Sequence, residues 1–214
     1  DLPTASLAVS AHLTSGSDEP LTGAIHIDNA AALPFNQGGM PFTHISAHAA
    51  ISSNSLQLTD MHGKIGKDEA IHGNLIWHWQ EQAGSAQVHV DQVNPQLVDS
   101  RIHGGRVSGQ ITASANAHGQ SAHVDLKDRS FNLTANLMRT GELITLEQFM
   151  LKRNQSKLTG HGQFDSSGKR GFQVSAQLSN FNIAEFIQAP VSNLNAAFRA
   201  SGQLSPEPSG KLDY

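Results

Sequence analysis

The chain has 214 residues, of which only 15% are Asp, Glu, Lys or Arg, with a formal net charge of -4 and no cysteine. The missing cysteines exclude disulfides and thiolate metal sites. The mildly acidic balance gives no electrostatic reason to bind nucleic acid or an anionic membrane surface. No apolar run approaches the roughly 18 residues of a membrane-spanning helix.

Period-two alternation dominates from the start. Leu7, Val9, Ala11 and Leu13 alternate with Ala8, Ser10 and His12, and Ile25 and Ile27 follow in the next run. Ile45, Ala47, Ala49 and Ile51 repeat the rhythm after "NQGGMP". Residues 70–80, AIHGNLIWHWQ, place Ile71, Gly73, Leu75, Trp77 and Trp79 on one side of a strand and His72, Asn74, Ile76, His78 and Gln80 on the other. Val88 and Val90 alternate with Gln87 and His89, and Ile111 with Gln110 and Thr112. The same pattern returns in Phe131-Leu133-Ala135-Leu137, at Phe164, in Phe172-Val174-Ala176-Leu178 and in Leu194-Ala196-Phe198-Ala200. Turn signals such as "SGSDEP", "SSNS" and "DSSGKRG" separate the runs, giving about a dozen strands.

Helical period is nearly absent. Two short interruptions are predicted as helical turns. "VNPQLVDS" offers Asn94 as N-cap with Pro95 at the first helical position, and "FNIAEFIQAP" offers Asn182 as cap with Glu185 three residues on and Pro190 as a stop. The two occupy equivalent places in a long repeat. Asn94 matches Asn182, Leu58 matches Leu146, Gly73 matches Gly160 and Trp77 matches Phe164, all about 87 residues apart. The predicted organisation is one continuous repetitive segment over 1–214, with approximate repeats at 22–107 and 108–194 and partial copies at both ends.

A sheet with one apolar face must cover it with helices, another sheet or something foreign. No long amphipathic helix is present to do so. Many inward positions are small, Ala47, Ala49, Ala113, Ala135, Ala176 and Ala200 among them. A curved sheet around an open trough fits this pattern better than a filled core, although small inward residues also occur in filled solenoids. A dozen strands at ~4.8 Å spacing make a trough of roughly 60 Å.

Chemistry-bearing motifs are thin. There is no G-x-S-x-G elbow, no G-x-x-x-x-G-K-[ST] loop and no G-x-G-x-x-G after a strand. Turn chemistry accounts for Asp18, Glu19, Asp60, Asp68, Glu69, Asp128 and Asp165, so no catalytic residue and no enzymatic activity are expected. The 12 histidines fall into repeated polar slots such as "MHG", "IHG" and "GHG". They read as solvent-face residues, with neither metal nor other cofactor assigned.

The runs "GAIHIDNAAALPFNQGGMPF", "LVDSRIHGGRVSGQITASANAHGQ" and "LKRNQSKLTGHGQF" carry a resemblance, and "LSNFNIAEFIQAPVSNLNAAFRASGQLSPEPSGKL" carries it furthest. Across its whole length the chain resembles the TamB proteins of the AsmA-like family of bacterial envelope proteins. The resemblance implies an all-β fold, an elongated, curved antiparallel or mixed sheet forming a U-shaped "β-taco" with an apolar interior. It implies that phospholipid acyl chains move along that interior between inner and outer membrane, with a role in outer-membrane protein assembly. It also implies a periplasmic location, an inner-membrane anchor supplied by an N-terminal helix outside this chain, and a TamA-like outer-membrane barrel as partner of a C-terminal domain also outside it. The chain is accordingly expected to be an internal stretch of a longer protein.

The expected groove-lining residues are Ile25, Ile27, Ile45, Leu75, Trp77, Trp79, Val88, Val90, Ile111, Leu133, Phe164, Val174 and Phe198. For the two tryptophans a second reading stands beside this one, as plugs of a local core where the sheet closes. Phe35, Phe42, Phe149, Phe181 and Phe186 are expected to pack turns and helical dips. The alternative to a lipid conduit is a structural β-array with a filled, dry interior.

Overall fold

The computed structural model describes residues 4–16, 20–103, 105–204 and 208–213. Asp18 and Glu19 of the "SGSDEP" turn and Ser205, Pro206 and Glu207 of the C-terminal turn lie outside the described residues, as do the side chains of Asp68 and Glu69. The chain divides into two units, Asp1–Ala117 and His118–Tyr214.

In the first unit, seven strands follow one another as a meander: β1 (Leu7–Thr14), β2 (Leu21–Asn29), β3 (Phe42–Ile51), β4 (Ser55–Ile65), β5 (Asp68–His78), β6 (Ala83–Val93) and β7 (Val107–Asn116). Each pairs antiparallel with the next. The second unit repeats this plan with β8 (Gly119–Lys127), β9 (Phe131–Thr140), β10 (Leu143–Arg153), β11 (Ser156–Asp165), β12 (Gly171–Phe181), β13 (Leu194–Gln203) and β14 (Ser209–Asp213). The protein is all-β, and every strand pairing in these two meanders is antiparallel. Short hairpin turns supply the left-handed backbone they need at Gly66, Gln82, Gly141, Asn154, Gly168 and Arg170.

The described residues contain no α-helix. Three-residue 3-10 turns stand at Phe35–Gln37, Pro95–Leu97 and Ile183–Glu185. Asn94 and Asn182 each accept a hydrogen bond from the backbone N–H two residues on. The reciprocal half of a capping box at Glu185 is not made. Instead, the buried Ser156 hydroxyl oxygen accepts from the Asn182 N–H and itself donates to the Asn180 carbonyl. The turn at Phe35–Gln37 has no counterpart among the expected helical segments.

Four strands carry an extra residue within an apolar run, and further register shifts fall between Phe42 and His44 and between Gly63 and Lys64. The apolar sequence steps by three rather than two from Leu58 to Met61, Val90 to Val93, Leu146 to Phe149 and Leu178 to Phe181, and the register shifts at each step. Asp60, Gln92 and Asn180, inside three of these steps, take positive φ. Such bulges bend a strand and restore the apolar residues to one face after the interruption.

In the first unit the β2–β3 connection meets the β6–β7 connection. The Phe35 N–H donates to the Val98 carbonyl at 2.9 Å, and Asn36 exchanges two hydrogen bonds with Ser100, both 2.9 Å long. Asp99 in that second connection is held by Arg101 through two bonds of 2.9 and 2.6 Å, which lowers its carboxyl pKa to about 2. Four strands at ~4.8 Å separate the two connections along a flat sheet by about 19 Å. Their contact therefore roofs one end of β3–β6. Under the roof sits a small cluster of buried Ile65, Ala70 and Val93, with Ile71, Val90 and Val98 packed on it.

Candidate functional site: the apolar sheet face

Cross-strand register decides which side chains share a face. In the first unit Val9 stands opposite Ile27, Ile27 opposite Ile45, and Ile45 opposite Gly63. Further on, Leu58 opposes Leu75, Leu56 opposes Trp77, Gly73 opposes Val88, Ile71 opposes Val90, and Val88 opposes Ile111. Ile25, Ile27, Ile45, Leu75, Trp77, Val88, Val90 and Ile111 therefore lie on one apolar face that runs through all seven strands. In the second unit Leu133 opposes Leu126 and Leu151, Phe164 opposes Phe172, Val174 opposes Gly162 and Ala200, and Ala176 opposes Phe198. Leu133, Phe164, Val174 and Phe198 share the corresponding face there.

Trp79 departs from the expected alternation. β5 ends at His78, and Trp79 sits in the following turn, its N–H donating to the Asn54 carbonyl at 2.9 Å. Its side chain is 45% exposed. The Gly84 end of β6 explains why Trp77 remains in the sheet. A Cβ built on Gly84 would stand 2.6 Å from the Trp77 ring, so the indole lies where a cross-strand side chain would otherwise project. Phe172 lies the same way against Gly202, 3.0 Å from the position of the missing Cβ.

Phe149 differs from its expected role. It packs no turn but stands mid-strand on the apolar face, opposite Ala135 and Gly160. Phe42 opposes Ile65 at the start of β3. Phe181 and Phe186 stack at 5.0 Å between ring centroids and pack the dip after β12, while Phe35 is an exposed residue of the first 3-10 turn. The alternation should also have placed Leu7, Leu58, Leu151 and Leu178 among the face residues, since each continues a period-two run. The bulges conceal Met61, Val93, Phe149 and Phe181 from that reading by shifting them one place.

The face is poorly covered. None of the thirteen expected lining residues is buried. Among the described residues the buried apolar side chains are Ala49, Ile65, Ala70, Val93, Val107 and Ala135, mostly small. Val9 is 67% exposed, Val174 39% and Leu212 60%. Burying such side chains is worth about 1.5–3 kcal/mol each, so an uncovered row of them is costly in water. The described concavities of the second unit lie on the other side of the sheet. The larger, about 680 Å³, is lined by Lys157, Thr159, His161, Ser175, Gln177 and Arg199 among others, and a smaller one of about 310 Å³ adjoins Thr145, His161 and Gln173. The expected lining residues are thus at most half-buried, with Trp79 and Val174 the exposed ones among them.

The polar face of the first unit gathers His12, His26, His44, His48, His62, His72, His78 and His89, eight of the chain's 12 histidines. His44 Nδ1 lies 2.7 Å from Asp28 Oδ1 across the strands, and the rings of His26 and His44 stack at 5.9 Å. No group of three His, Cys, Asp or Glu side chains converges as a metal cage among the described residues.

Compared with protein-family models, curated proteins and solved structures, the chain matches none.

Proposed function

We propose that this chain is a segment of a periplasm-spanning, TamB-like bridge whose apolar face carries phospholipid acyl chains between the inner and outer membranes. The observation that carries the proposal is the run of in-register apolar residues along one face of each unit with so little of it buried. A face of this kind needs a foreign apolar cover. Acyl chains supply one without requiring a shaped pocket, which suits a row of mixed Ile, Leu, Val, Trp and Ala. The role is passive, in holding and guiding lipid rather than catalysis. Membrane anchoring and contact with a TamA-like outer-membrane barrel, as support for outer-membrane protein assembly, fall to other parts of the parent protein.

The four bulges support a trough rather than a flat sheet, because each bends its strand while keeping the apolar residues on one side. The repeat is supported by backbone features that return at nearly constant spacing. Gly66 and Asn154, Gln82 and Arg170, and Gln92 and Asn180 all have positive φ and lie 88 residues apart, as do the 3-10 turns beginning at Pro95 and Ile183. The turn at Phe35–Gln37 falls outside this spacing and marks the first copy as modified.

The second reading, a structural array with a filled core, is favoured only by the cluster beneath the roof at Ile65, Ala70 and Val93. Purifying the chain from the envelope fraction of expressing cells and extracting it with organic solvent distinguishes the two. Phospholipid recovered in fixed molar ratio to protein is the expected result. Protein that is soluble, folded and lipid-free, and that takes up no fluorescent phospholipid from vesicles, would overturn the conduit.

A further inference from the structure

The sequence assigns no metal to the histidines, but it does not show which of them meet across strands. His62 on β4 stands directly opposite His72 on β5, and His72 stands directly opposite His89 on β6. Three imidazoles thus form one row across three adjacent strands of the polar face. In the first pair the Nδ1 atoms lie 3.2 Å apart, with ring planes at 86° to one another.

That geometry has two chemical uses. One ring can donate an Nδ1–H to the other, or both rings can turn their Nδ1 lone pairs on a shared cation. Zinc–imidazole bonds of about 2.0–2.1 Å at a tetrahedral angle place two ligand nitrogens roughly 3.4 Å apart, close to the observed separation. Perpendicular rings keep the carbon edges of the two imidazoles clear of each other while the nitrogens converge.

We propose that His62 and His72 form a surface clamp for a divalent transition metal of the zinc or copper class. Neutral imidazole suits these ions, whereas magnesium and calcium take oxygen ligands. Among the described residues no third His, Cys, Asp or Glu forms a metal-holding group with the pair, so the remaining positions would fall to water, with His89 as the neighbour able to contribute a nitrogen after ring rotation. Two strands already fixed by the β4–β5 ladder hold the pair, which spares much of the ordering cost that two free side chains would incur. The clamp lies on the face opposite the apolar row and is independent of lipid carriage.

The test is isothermal titration of the full chain with zinc chloride in a non-coordinating buffer, alongside ¹⁵N-histidine NMR. One zinc per chain is expected, with the Nδ1 resonances of His62 and His72 perturbed together. His62→Gln and His72→Gln should each weaken binding by about tenfold or more. His48→Gln on the same face and His123→Gln in the second unit should leave it unchanged. Uptake spread over many equal, weak sites and indifferent to His62→Gln would overturn the clamp. So would the absence of any saturable uptake by the unsubstituted chain, which would leave the 3.2 Å contact as an imidazole–imidazole hydrogen bond. The NMR measurement needs no variant, so it decides the matter even if a substitution disturbs the fold.

Discussion

At the scale of single residues, the Trp77–Gly84 pair shows how the sheet keeps a large aromatic side chain at its apolar surface. The indole lies over a glycine on the next strand, where any side chain would collide with the ring at 2.6 Å and with the Ile76 carbonyl at 2.4 Å. Gly84→Val should therefore displace Trp77 and destabilise the first unit by about 1–3 kcal/mol, the usual cost of overpacking. Urea unfolding followed by tryptophan fluorescence checks this, with a red-shifted folded-state emission as the ring moves into water. An unchanged midpoint and spectrum would mean that the ring has another resting place.

At the scale of elements, strands were legible because Ile45-Ala47-Ala49-Ile51 and Phe172-Val174-Ala176-Leu178 alternate without a break. The bulges were not, because a step of three between Val90 and Val93 looks like the end of a run. Only the partner strand shows that it continues. Trp79 differs for the opposite reason. Alternation in the sequence carries past His78, and the Trp79 N–H still bonds to Asn54, the next residue in the β4–β5 register, but β5 ends at His78 and a turn begins at Trp79. The two Asn caps were legible from Asn94-Pro95 and from Asn182. Ser156 as backbone partner of Asn182 was not, being 26 residues away in sequence.

That difference makes a prediction for the two turns. The Asn94 side chain accepts from Gln96 N–H, whereas Asn182 accepts from both Ala184 and Ser192 N–H. Asn182→Ala should cost about 1–2 kcal/mol and Asn94→Ala about half as much, on the scale of lost caps. Hydrogen exchange at the amides of Ala184 and Ser192 should accelerate in Asn182→Ala. Equal losses in the two variants would remove the role given to the Ser192 contact.

At the scale of the whole molecule, the central claim is that one face meets lipid and the other meets water. An ionised side chain held among acyl chains costs several kcal/mol when unpaired. A long side chain on an open face can still bend its charged tip toward water. Leu75→Arg should consequently fold yet lose most of its bound phospholipid, while Asn74→Arg, one residue away on the polar face, should keep both fold and lipid. If Leu75→Arg simply unfolds, the filled-core reading gains. Photo-crosslinking tests the claim most directly. A photoreactive amino acid placed at position 77, then at position 78, in cells making the full-length protein samples the two faces within one peptide unit. Phospholipid adducts at 77 and none at 78 are the predicted result, and equal labelling at both positions or none at either would contradict the account.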